Sequence, residues 1–269
     1  WMSLVGKGTS DVNEEYVLML KDDQVYFDVG QGGGPYLQQS TTIAPETWHY
    51  IAAVHTRSGN TSTLKVYLNG EDVGGTTVGA SYTPNDNSYP LTIGSRWFSA
   101  SYGLFQGQID DVRIWNNALS SQQIQSNMYS NLNGDEEGLV GYWNFNEGEG
   151  DALADLSGNG NDGNINSAVW SDDVPPILPV SGEDNSLSFS GSNQYVQIGN
   201  PFSGNKSDFT ISAWIKAIPS NDSYGRPFYV HNAAYADVVG NVQNNPGSET
   251  IVFRIYEGDG SQANTQIEC

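Results

Sequence analysis

Short apolar runs recur along this chain, cut apart by Gly, Asn, Asp and Ser. Runs rich in β-branched and aromatic residues and bounded by turn formers read as strands. Tyr16-Val17-Leu18-Met19-Leu20 and residues 24–29 flank Lys21-Asp22-Asp23, which reads as a hairpin turn. Residues 48–55 (WHYIAAVH) are strongly apolar; residues 63–68 alternate and are followed by Asn69-Gly70, a strong turn signal. Further strands are expected at residues 91–94, 107–115, 139–145, 187–189, 195–198, 209–215, 227–230 and 251–256. One short helix is expected at residues 122–129, with Ser120 or Ser121 as its cap. Residues 131–138 have the composition of a linker, and residues 171–182, with Pro175, Pro176 and Pro179, are expected to be irregular.

The 269 residues suffice for one large β-sandwich or two ordinary domains. Acidic residues outnumber basic ones by 31 to 10, a formal charge of -21. Such a surface repels phosphate, which argues against nucleic acid or anionic membrane as a partner. It suits an extracellular protein that holds divalent cations, or one kept soluble by charge alone. The single cysteine, Cys269, allows no intrachain disulfide. That fits a reducing cytosol, and equally a secreted bacterial protein stabilised by core size and calcium. No run approaches the length of a membrane helix, so membrane insertion is not expected. The opening Trp1-Met2-Ser3-Leu4-Val5 reads like the middle of a strand, as expected of a piece of something longer.

An internal repeat is expected out of phase. If Trp214 corresponds to Trp1, residues 1–131 form one module lacking its first strands. Residues 132–138 are then a linker, and residues 139–269 a second module lacking its last strands. A sandwich without several strands has open edges and half a core. Completion could come from a longer chain, or from a neighbouring copy, which would build a fibre.

Seven stretches carry a resemblance. They are GLVGYWNFNEGEG (138–150), DLSGNGNDG (155–163), FSGSNQYVQI (189–198), FTISAWI (209–215), WHYIAAV (48–54), LKVYLNG (64–70) and FQGQIDDVRIWNNALS (105–120). Together they resemble the bacterial laminin-G-like, concanavalin A-like jelly-roll family. The resemblance implies an all-β fold: an antiparallel β-sandwich, here as two out-of-phase modules, with a concave side. It also implies modules found in tandem on secreted bacterial proteins and appended to glycan-active enzymes, most of which bind glycan or protein; it does not imply catalysis. Fold alone does not fix function.

Candidate site residues follow. The loop at 155–163 is dense in hard oxygen donors, with glycines that let it curl, and Asp155, Asn159 and Asn161 are candidate calcium ligands. The alternative is an Asx-rich turn held by its own hydrogen bonds. The family pattern adds Asp110, which strict alternation places on the face of Val112 and Ile114. Asp110 and Asp155 fall in different repeats. Of the three histidines, His49, His55 and His231, the first two flank a strand and are expected to pack rather than catalyse. Trp48, Trp115, Trp143 and Trp214 are expected in the core. Trp97 and Tyr102, among Ser, Asn and Gly, are candidate sugar contacts, with burial at the rim as the alternative. The leading expectation is a calcium-stabilised, non-catalytic adhesion or binding protein. The alternatives are a surface-fibre subunit and the accessory region of a secreted glycoside hydrolase.

Overall fold

A computed structural model describes residues 2–8, 15–21, 23–30, 36–78, 88–96, 103–176, 184–201, 208–218, 225–232, 236–245, 248–257 and 262–263. In chain order the first strands are β1 (Met2–Lys7), β2 (Tyr16–Lys21), β3 (Gln24–Val29), β4 (Tyr36–Thr42), β5 (Trp48–Ser58), β6 (Thr61–Leu68), β7 (Glu71–Val78), β8 (Leu91–Ile93) and β9 (Gln106–Trp115). Helix α1 (Ser121–Met128) follows. Next come β10 (Leu139–Trp143), β11 (Ala152–Leu153), β12 (Gly163–Asn166), β13 (Val169–Ser171), β14 (Ser186–Ser190), β15 (Tyr195–Ile198) and β16 (Phe209–Ala217). The last are β17 (Gly225–Asn232), β18 (Ala236–Asn245), β19 (Ser248–Glu257) and β20 (Gln262–Ala263).

Two antiparallel sheets form a sandwich. The first has the order β11-β12-β15-β8-β1-β2-β3-β4, the second β13-β14-β9-β16-β5-β6-β7, with β10 also on β9. Both lie in a unit spanning Trp1–Pro219; Ser220–Cys269 form a second unit with its own sheet, β17-β18-β19-β20. Strands on either side of residues 132–138 therefore share both sheets of one sandwich. β16 pairs with β5 through Ile211↔Ala53 and with β9 through Ile211↔Ile114, while β15 pairs with β8 and β14 with β9. This differs from two modules divided at 132–138. The physical reason is edge pairing: β16 carries Ile211, Ala213 and Ile215 into the core, and flanking partners satisfy its backbone on both sides. The supposed linker is a turn in which Glu136 accepts from the backbone N–H groups of Asn133 and Gly134.

The core lies between the sheets and includes Leu18, Phe27, Ile51, Val66, Ile93, Ile114, Trp143, Phe189 and Ile211. A second cluster covers the far face of the second sheet. There Ile124 and Met128 of α1 join Tyr50, Tyr67, Trp115, Tyr142 and Trp214. Ser120 caps this helix in a reciprocal box with Gln123, and the Trp214 indole donates to the carbonyl of Met128 at 3.1 Å. Of the four tryptophans expected inside, Trp143 lies in the inner core and Trp115 and Trp214 in the outer cluster. Trp48 packs partly buried against that outer cluster, donating to Asp173. The Asn69-Gly70 turn has both central residues left-handed, at φ 51° and 83°, which matches the right-handed twist of the strands it joins.

Candidate metal centre

β9 reads QGQIDDVRIW, and Ile109, Val112 and Ile114 all enter the core. Two residues, rather than one, stand between Ile109 and Val112. The strand absorbs the extra residue as a bulge: Asp111 adopts φ 54°, and the ladder to β16 slips between Ser212 and Trp214. Asp110 consequently pairs with Trp214 and Arg113 with Ser212. Paired residues share a face, so Asp110 lies on the Trp214 side and not with Val112 and Ile114. Strict alternation misplaced it because the bulge resets the period.

The other edge of β9 has a junction at the same place. β14 pairs with β9 up to Leu187↔Ile109, and β10 takes over from Trp143↔Val112. Asp110 and Asp111 stand at the gap between these two strands. The chain leaving β10 and the chain entering β14 are tied together: Asn146 Nδ2 donates to Asp184 Oδ1 at 3.2 Å, and the Asn185 N–H donates to Asn146 Oδ1 at 2.9 Å.

Asp111 and Arg113 neutralise each other. Arg113 Nη2 donates to Asp111 Oδ2 at 3.0 Å and to the Ser130 carbonyl at 2.8 Å; Nη1 donates to the Asn127 carbonyl. The guanidinium carbon lies 5.3 Å from the Tyr142 ring centroid. Burial raises the Asp111 carboxyl, and the Arg113 charge opposes that rise. For Asp110 the balance is worse. Burial first, then the charges of Asp111 and Asp184, push its carboxyl well above the usual carboxylate range. Asp110 is 4% exposed, and its Oδ1 has no hydrogen-bond partner among the described residues. Two buried carboxylates, Asp110 and Asp111, against one buried guanidinium leave a formal excess of 1 − 2 = −1, with half-buried Asp184 adding its charge beside them. A buried excess of this kind calls for a proton or a cation. Hard oxygen donors suit calcium, which accepts amide and backbone oxygens alongside carboxylates. Among the described residues no three His, Cys, Asp or Glu side chains converge, so such a cation would need those other oxygens.

The DLSGNGNDG loop is built differently. Asp155 Oδ1 accepts from the N–H groups of Tyr142 at 3.0 Å and Ser157 at 2.9 Å, and Oδ2 accepts from Asn161 N–H at 2.9 Å. The Asn161 side chain donates to the Val140 carbonyl at 2.9 Å, and that of Asn159 to the carbonyls of Leu139 and Val140 at 3.1 and 3.2 Å. Trp143 Nε1 donates to the Asn161 carbonyl. Asp155, Asn159 and Asn161 are thus gathered around β10, where they serve its backbone. Asp110 has its own neighbours, Asp111, Arg113 and Asp184. The sequence pattern did not reveal Asp184, Asn146 or Arg113. The one signal available was an arginine inside the apolar run at residues 112–115.

Trp97 and Tyr102 lie outside the described residues. His49 bonds to the Ala44 carbonyl and Asn69, and buried His55 bonds to Ser62 at 3.0 Å and packs on Phe209. The side chain of His231 is outside the description.

Two packed antiparallel sheets with a helix on the far face of one define a β-sandwich of the jelly-roll class. Residues 1–125 match the family model Laminin_G_3, of the concanavalin A-like lectin/glucanases superfamily, and this match supports a laminin-G-like jelly roll. The match supports a carbohydrate- or protein-binding jelly-roll module. No curated protein matches the chain.

Proposed function

We propose that this chain is a secreted or cell-surface, non-catalytic module that binds glycan and is stabilised by calcium at Asp110 and Asp184. The observation that carries the calcium part is the buried, unpartnered Oδ1 of Asp110 beside Asp184. The glycan part rests on the match to a lectin and glucanase superfamily. The net charge of -21 agrees with an extracellular setting rich in divalent cations. His49 and His55 are held in structural bonds, which agrees with binding without turnover.

Thermal unfolding with calcium and with chelator tests the metal. Wild type should melt several degrees higher with calcium. Asp110→Asn should lose that increment and, under chelator, equal or exceed wild type, because the amide needs neither a proton nor a cation to be buried. A calcium increment retained in Asp110→Asn would sink the site. A glycan array paired with a reducing-end assay tests the rest: retention without release of reducing ends is expected. Release would make the chain an enzyme, and retention only of protein ligands would redirect the search.

A further inference from the structure

Lysine rarely lies fully inside a protein, and Lys7 does. In β1 it stands opposite Tyr16 of β2 and Leu91 of β8, both of which belong to the inner core. Paired residues share a face, so Lys7 is on the core side of the first sheet. Its Nζ meets the carboxylate of Glu15, and the two side chains are 0% and 1% exposed. The backbone holds the same two residues together. The Glu15 N–H donates to the Lys7 carbonyl at 2.8 Å, and the Glu15 carbonyl accepts from Gly30 at 2.8 Å. The surroundings are aromatic: the buried Tyr16 ring packs against Phe209 at 5.2 Å, and Phe209 against Phe27 at 6.0 Å.

Two charges so placed gain little as an ion pair. Each has given up its water, and their attraction does no more than offset that loss. Moving one proton from the ammonium to the carboxylate removes both charges. It leaves a neutral amine against a neutral acid, which are the reactants of an amide.

We propose that Lys7 and Glu15 condense to an amide that ties β1 to β2 covalently. The lone pair of Lys7 Nζ attacks Glu15 Cδ, and the N–C bond forms. The Cδ–OH bond breaks, and the hydroxyl leaves with one proton from the nitrogen as water. Reactants and products are neutral overall, so no oxidant, reductant or activated co-substrate enters. Contact between the reacting groups supplies the proximity that a bimolecular condensation lacks. Exclusion of water from the pair protects the amide from hydrolysis.

The position gives the bond a use. β1 lies between β8 and β2, so it joins the β11-β12-β15-β8 half of the first sheet to the β2-β3-β4 half. With Cys269 as its one cysteine, the chain has no internal disulfide to fasten such a strand. The amide does this without cysteine, and it involves neither calcium nor glycan.

Intact mass of the denatured full chain, followed by tryptic mapping, is the test. Wild type should be lighter than its sequence by one water. Trypsin should not cut after Lys7, because the ammonium it recognises has gone. The peptide of residues 1–21 should carry the whole loss, and its fragment spectrum should lack ions from breaks between residues 7 and 15, which the amide closes into a ring. Glu15→Ala should return to its full sequence mass and be cut after Lys7. Wild type at full mass and cut after Lys7, or a lost water that maps to any other peptide, would overturn the proposal. Wild type alone decides the matter, so a Glu15→Ala chain that fails to fold leaves the test intact. Neither result bears on the calcium and glycan measurements.

Discussion

At the scale of the residue, burial decides what a side chain does. His55 shows this in a form that pH can read. It is fully buried between Ser62 and Phe209. Burial carries its pKa from 6.5 down to about 4, against the pull of nearby Asp208 and with a smaller push from Arg57. The unfolded chain therefore binds the proton more tightly than the folded one. Stability from neutral His55 is complete above about 6.5 and is lost as pH falls toward about 4. The loss is on the order of 3 kcal/mol. Urea unfolding of wild type and His55→Gln at neutral pH and near pH 4 isolates it, since glutamine does not titrate. Wild type should lose more on acidification than the variant, and an equal loss would place the acid sensitivity elsewhere. His49 and His55 were legible as packing residues. The placement of Asp110 was not, because a bulge shows in a sequence only as one residue too many.

At the scale of the element, β10 depends on the loop that follows it. Its inner edge is paired with β9, and its carbonyls and N–H groups on the other side are taken by Asp155, Ser157, Asn159 and Asn161. Asp155 alone accepts three backbone N–H groups. Asp155→Ala should cost about 2–4 kcal/mol, from donors left without an acceptor, seen as a lower urea midpoint. Asp155→Asn should recover part of this, since one oxygen remains to accept. The deficit should be the same with calcium and with chelator; a deficit that calcium repairs would make the loop a metal site. The strands found in the sequence, such as β5, β6, β9 and β16, are those with apolar runs or clean alternation. Those that escaped notice include β4 (YLQQSTT) and β7 (EDVGGTTV), whose polar residues and glycines carry little of the period. Such strands are held by pairing with a neighbour, β4 to β3 and β7 to β6, and local composition cannot show that.

At the scale of the whole molecule, the family motifs were legible but their assembly was not. Sequence order suggested two incomplete sandwiches. The pairing shows one sandwich within Trp1–Pro219, assembled from two stretches that each lack what the other has. Residues 1–131 contribute β1–β9 and α1, and leave both long edges of β9 without β16, β14 and β10. Residues 139–219 contribute β10–β16, whose β16 would stand with neither β5 nor β9 beside it. Unpaired backbone and a core open on one side should keep each stretch from folding alone. Expressed separately, residues 1–131 and 139–219 should each lack a cooperative thermal transition. Mixed in equal amounts, they should recover one, together with the near-ultraviolet circular dichroism of the buried Trp143 and Trp115. Two independently cooperative fragments would mean that each is a module in its own right, and the shared sheets of the single sandwich would then be wrong. Recovery only on mixing would show that the division of this chain lies where β16 ends, and not at the turn after α1.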